Sequence, residues 1–173
     1  MATSLYDLSV ACYLQTLAGV AGYLDKGLAH CTANNIDLNE LVETRLYADM
    51  LPFRFQIQAV AHQSLGAIEG VKKGLFLPPS NLPMLDYQGL QKLTADTSDA
   101  LRKMTPDEVN ALEGKDVAFE IRGMKIPFTA EGFILSFSLP NLHFHATTAY
   151  GMLRAKGVPL GKRDYLSQMR MKT

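Results

Sequence analysis

The chain has 173 residues, 47% of them hydrophobic and 20% charged, a length and a mix that fold as one domain around a substantial core and not as a disordered chain. Seventeen basic residues balance seventeen acidic ones, which leaves no electrostatic footprint for nucleic acid or an anionic membrane surface. A charged start with an apolar signal core is absent, as is any apolar run of about eighteen residues, so the expectation is a cytoplasmic protein that neither enters nor crosses a membrane.

Ser4 and Asp7 form a capping pattern, and Val10, Leu14, Leu17, Ala21, Leu24 and Leu28 follow at alternating spacings of four and three. One helix is therefore predicted from about residue 4 to about 33, ending at Asn34-Asn35. Gly19, Gly22 and Gly27 within it predict close approach of a neighbouring helix. Cys12 and Cys31 lie in the same stretch, roughly 28 Å apart at helical rise, too far to pair.

Asp37 and Glu40 open a short helix predicted over Leu38 to about Met50, interrupted by Pro52. A second long helix follows to about Lys73, with Arg54, Gln58 and His62 as a solvated row at four-residue spacing. Residues 74–85 hold three prolines and read as an ordered connection that carries apolar side chains back onto the body. Helix follows from about Asp86 to Lys103, then a brief helix begun by Thr105-Pro106. Val117-x-Phe119-x-Ile121 and Met124-x-Ile126-x-Phe128 flank Arg122-Gly123 as a small β-hairpin. The last helix starts at Thr129, is kinked or divided by Pro140, and stops at Gly157 and Pro159; residues 160–173 form a tail in which Gly161-Lys162-Arg163 is solvated. One domain spanning 1–173, mainly α-helical and built as a four-helix bundle with one hairpin before the last helix, accounts for these elements.

The phosphate-binding, dinucleotide, zincin, α/β-hydrolase and zinc-ribbon motifs all lack their required residues, so no nucleotide cofactor is expected. Four histidines remain: His30, His62, His143 and His145. His143 and His145 leave a helix in opposite directions. His145 shares a stripe with Ser138, Asn141, Thr148 and Met152, a polar group on a half-buried helix. It reads either as a core histidine satisfied by a neighbour or as a metal ligand or proton shuttle. Arg45 and Asp49, four apart, read as a helix-surface ion pair or as part of a pocket.

Leu5-Tyr6-Asp7-Leu8-Ser9-Val10, Arg45-Leu46 with Asp49-Met50-Leu51-Pro52, Leu139 to Tyr150, and Gly157 to Tyr165 together resemble a domain-of-unknown-function family of bacteria and fungi, grouped by fold with the DinB/YfiT-like four-helix bundles. The resemblance covers nearly the whole chain. It implies a divalent-metal site of three histidines, one on the second helix and two, four apart, on the last, with thiol transferases among the better-understood members. His62 and His145 match two of those ligands, for a divalent ion such as zinc or nickel, and Asn141 stands where the third is expected.

Two functions follow as expectations. One is a small-molecule-binding bundle, an enzyme of the isomerase, dehydratase or cyclase type or a DinB-like metal-dependent transferase, with His145 catalytic and Tyr6, Arg45, Asp49, Asn141 and Tyr150 binding the ligand. The other is a non-catalytic homodimeric scaffold, joined through an apolar face that includes Leu75, Phe76 and Leu77.

Overall fold

Ser4 starts the first helix as its spacing predicts: its Oγ accepts the Asp7 N–H and the Asp7 carboxylate accepts the Ser4 N–H. The computed structural model describes residues 3–172; Met1, Ala2 and Thr173 of the predicted 1–173 domain lie outside the described residues. The single helix expected here is broken at Ser9 into α1 (Leu5–Leu8) and α2 (Val10–Ala33). Ser9 leaves helical geometry at φ −109° and ψ −85°, and its hydroxyl donates to the Leu5 carbonyl at 2.6 Å, a local bond that competes with the helix ladder. Asn34 caps α2 and Asn35 takes the left-handed φ of 53°, as the sequence predicts.

The short helix α3 (Leu38–Glu43) ends well before Met50. Thr44 bonds back through both its N–H, to Leu41, and its hydroxyl, to Glu40, which tightens and closes the last turn. Residues 44–52 form a loop, so Arg45 and Asp49 stand on no helix and the expected ion pair does not form; Arg45 donates instead to the Met50 carbonyl.

The second long helix is α4 (Phe53–Ala61), a π-helical turn His62–Gly66, and α5 (Ala67–Lys73). Gly74 stops it at φ 73°. Then come β1 (Leu75–Phe76), the proline-rich connection, α6 (Tyr87–Arg102) capped by Asp86, α7 (Pro106–Asn110), and the hairpin β2 (Asp116–Ile121) and β3 (Met124–Thr129). Arg122 and Gly123 both take positive φ, as a two-residue hairpin turn requires. The last long helix comprises α8 (Ala130–Phe133), a second π-helical turn Ile134–Ser138, and α9 (Leu139–Ala155). Pro140 does not divide it. Lacking an N–H for the carbonyl four residues back, the proline is accommodated by the wide turn that precedes it. The tail contains a short helix, α10 (Lys162–Leu166), that packs on α2; Lys162 and Arg163 are exposed, as expected.

Helix accounts for 63% of the chain. In the bundle α2 and α4 each pack against both α6 and α9, and the core runs through Tyr13, Leu17, Leu24, Phe53, Ile57, Leu90, Leu142 and Leu153. The hairpin is joined by β1, which pairs in parallel with β2, making the order β1-β2-β3 where the sequence predicted two strands. Phe76 carries β1 into a cluster with Phe119, Phe133 and Phe137 that ties the sheet to the bundle.

Candidate functional site

The helix α4 runs antiparallel to α9, with Gln56 opposite His145 and Gln63 opposite Ser138. Along its other edge the polar row predicted to be solvated is a set of anchors. Arg54 pairs with Glu43, Gln58 Nε2 donates to the Pro83 carbonyl at 2.8 Å, and His62 Nε2 donates to the Leu77 carbonyl at 2.9 Å. Gln58 and His62 therefore hold the two ends of the proline-rich connection against the bundle. The carbonyl can only accept, so the His62 proton is on Nε2 and the lone pair on Nδ1.

His145 sits half-buried at the α4–α9 seam, between the edges of Phe55 and Phe144, with ring centroids 5.8 and 5.2 Å away. Its Nδ1 lies 2.8 Å from Gln56 Oε1, and Gln56 Nε2 lies 2.9 Å from the Leu51 carbonyl. Because that carbonyl fixes which end of the amide is NH2, the amide oxygen faces the imidazole and Nδ1 must carry the proton. Nε2 is thereby left with its lone pair and with no hydrogen-bond partner among the described residues. Burial among apolar neighbours pushes the imidazole pKa down to about 4, so the ring is neutral at physiological pH. One turn away, Asn141 Nδ2 donates to the Phe137 carbonyl at 2.7 Å, which turns its Oδ1 outward as a second acceptor. Thr148 spends its proton on the Phe144 carbonyl at 2.7 Å. The stripe Asn141, His145, Thr148 thus presents three acceptors and one remaining donor, the second Nδ2–H of Asn141.

The remaining predicted site residues are dispersed. Tyr6 lies on α1, its N–H bonded to Asn110 Oδ1 at 2.9 Å. Tyr150 packs edge-on between Tyr23 and Tyr165. Arg45 and Asp49 are exposed in the loop that also supplies the Leu51 carbonyl. His143 faces away toward Tyr165, Nδ1 to hydroxyl 3.2 Å, and His30 lies at the far end of α2 beside Gly157. Gln56 was missed by sequence reasoning. Its signal was a polar residue on the core stripe Phe53, Gln56, Ile57, Val60, all buried.

The three-histidine metal site does not fit these residues. His62 is six residues from the position opposite His145, roughly 9 Å along the helix, and its Nε2 is engaged by Leu77. At the level of His145 the second helix offers the Gln56 amide, whose oxygen is occupied by Nδ1–H, and the last helix offers the Asn141 amide. One imidazole with carboxamides is a poor donor set for zinc or nickel. Among the described residues no three His, Cys, Asp or Glu side chains are close enough to share an ion.

A family model described as "Domain of unknown function (DUF1993)" matches residues 5–166. The chain belongs to this family. As a DUF1993 protein it shares its fold with a DinB family member protein from Shewanella denitrificans, known from a crystal structure: the two are 26% identical, the match covers 98% of this chain and 95% of that one, and the TM-score is 0.82. The DUF1993 chain is thus a DinB-like helical bundle, as its motifs predict. No curated protein matches it. No helix among its described residues is long and apolar enough to cross a membrane.

Proposed function

We propose that this DUF1993 protein binds a small organic molecule at the α4–α9 seam, with neutral His145 as the acceptor that fixes it. The observation that carries the reading is the unpartnered Nε2 lone pair, held in one tautomer by Gln56 and Leu51. Nε2 is not among the buried unpartnered polar atoms of the described residues, so water reaches it, and a ligand donor takes the place of that water. Acceptors on Asn141, His145 and Thr148 beside Phe55 and Phe144, with one Asn141 N–H to spare, suit a largely apolar molecule that presents hydroxyl or N–H donors. A ring with a pKa near 4 is a weak base in the free protein; proton-transfer chemistry of the isomerase or dehydratase type requires the bound ligand to raise it.

The homodimeric scaffold remains a second reading, favoured by the apolar rim of the same seam: Leu46, Tyr47, Leu51 and Phe144 are all exposed, and Leu46 and Phe144 line one shallow cleft. Phe144 lines that cleft and also packs on His145, so ligand and partner compete for one face.

Thermal melts of the wild type and His145→Ala across a panel of aromatic alcohols and amines test the ligand reading. Ligands at a hundred times Kd stabilise by about 2.7 kcal/mol; the wild type should show such upward shifts and the variant should lose them while its own melting point holds. A destabilised variant that responds to every ligand as the wild type does returns His145 to a structural role.

A further inference from the structure

The proline-rich connection does more than cross the bundle. Between it and the α4–α5 helix lies a cleft of about 500 Å3, open on its solvent side, within the range of roughly 300–1,000 Å3 that small-molecule sites occupy. The connection forms an apolar wall, with Leu75, Leu77, Pro78 and Leu82 along it. The helix presents a stripe at spacings of three and four: His62, Gly66, Glu69, Gly70 and Lys73.

Three features make the stripe selective. First, His62 donates Nε2–H to Leu77, so its Nδ1 is an acceptor. That atom is reached across Gly66: a Cβ built at this glycine would stand 3.1 Å from Nδ1. Glycine inside a helix costs stability relative to alanine, so its gain here is access. Second, Glu69 and Lys73 lie four apart in the order that favours an ion pair, yet neither is among the ion pairs of the described residues. A carboxylate and an ammonium stand side by side on the rim, each without a partner. Third, helical side chains lean toward the N-terminus, which brings both charges back toward His62.

We propose that this cleft binds a zwitterionic amino acid with an aromatic side chain. Its ammonium meets Glu69, its carboxylate meets Lys73, its ring lies along the apolar wall, and a ring N–H or O–H donates to His62 Nδ1. A simple hydrocarbon acid leaves Glu69 opposed to its own charge, and a simple amine leaves Lys73 so; only the zwitterion complements both. Burial lowers the His62 pKa and keeps the ring an acceptor near neutral pH. The site is separate from the α4–α9 seam and does not depend on it.

L-tryptophan is the probe, because the chain contains no tryptophan and indole emission reports the ligand alone. Fluorescence titration of the intact protein should give saturable binding at millimolar affinity or tighter, at least tenfold weaker for indole-3-propionate, which lacks the amine, and for tryptamine, which lacks the carboxylate. Gly66→Ala, whose Cβ crowds His62 Nδ1, should abolish binding, and its melt is recorded beside that of Lys73→Gln, an exposed change that leaves the fold untouched. Lys73→Gln should weaken tryptophan at least tenfold and leave tryptamine no weaker, and the same ordering of the three probes should persist in a His145→Ala background, which removes the seam's acceptor. Absence of saturation in the wild type, equal affinity for all three probes, or full binding by Gly66→Ala overturns the proposal.

Discussion

At the residue scale the protein turns on which nitrogen of an imidazole carries the proton, and a backbone carbonyl two hydrogen bonds away decides it. Leu51 orients Gln56, and Gln56 orients His145. The depressed pKa has a consequence for stability. Between about 4, the folded value, and the ordinary 6.5, the unfolded chain binds a proton that the native one refuses, so stability rises with pH there. The contribution is whole above pH 6.5 and is lost as pH falls toward the folded value, on the order of 2 kcal/mol after discounting for the exposed part of the ring. His62 and His143, also lowered by burial, add in the same direction. Urea unfolding across that interval should therefore show a shallower pH slope for His145→Leu than for the wild type; parallel curves would contradict the assignment. Gln56→Glu is the converse change. A carboxylate against Nδ1–H should raise the His145 pKa by about 1–3 units, read from the imidazole proton shifts by NMR, at a cost in stability because the Leu51 carbonyl loses its donor. An unmoved pKa would mean that the amide does not face the ring as described. His145 itself was legible from its stripe on the last helix, whereas Gln56 was not, because its role needs the antiparallel register of α4 and α9, which no local pattern encodes.

At the scale of elements, capping residues and proline positions marked the helices well: Ser4, Asp37, Asp86, Thr105 and Thr129 each cap the helix that follows. The errors share one cause. Ser9, Thr44 and the π-helical turns change a helix through hydrogen bonds to particular carbonyls, and hydrophobic periodicity is blind to these. β1 was invisible for a related reason: two residues carry no period, and only Phe76 docking on the aromatic cluster brings them to β2. The glycines of α2 separate local from tertiary reasons in the same helix. A Cβ at Gly27 would stand 2.3 Å from the hydroxyl of buried Tyr87, which donates to the Leu24 carbonyl. At Gly22 a Cβ meets nothing within 4 Å. Gly27→Ala should thus destabilise by about 1–3 kcal/mol and Gly22→Ala should stabilise by about 0.5–1 kcal/mol, compared by chemical denaturation. Similar effects at both sites would refute the close approach of α6 to α2.

For the whole molecule the open question is what covers the α4–α9 seam, and the exposed apolar side chains point to the face more directly than sequence did. The Leu75-Phe76-Leu77 cluster was expected to join two copies, but its central residue, Phe76, is only 3% exposed and is spent on the monomer's own core. Leu75 and Leu77 instead wall the cleft beside His62. Exposed apolar side chains are left over at the rim of the seam, where Phe144 is 59% exposed and Tyr47 72%. A chain of zero net charge has little long-range repulsion to keep such faces apart. If a second copy covers the rim, light scattering at micromolar concentration should return twice the 19.1 kDa chain mass, and Phe144→Ser should return a single chain with its fold intact, because that ring packs outside the core cluster. A wild type that scatters as one chain removes the dimer and leaves the rim to the ligand; a dimer indifferent to Phe144→Ser places the interface elsewhere.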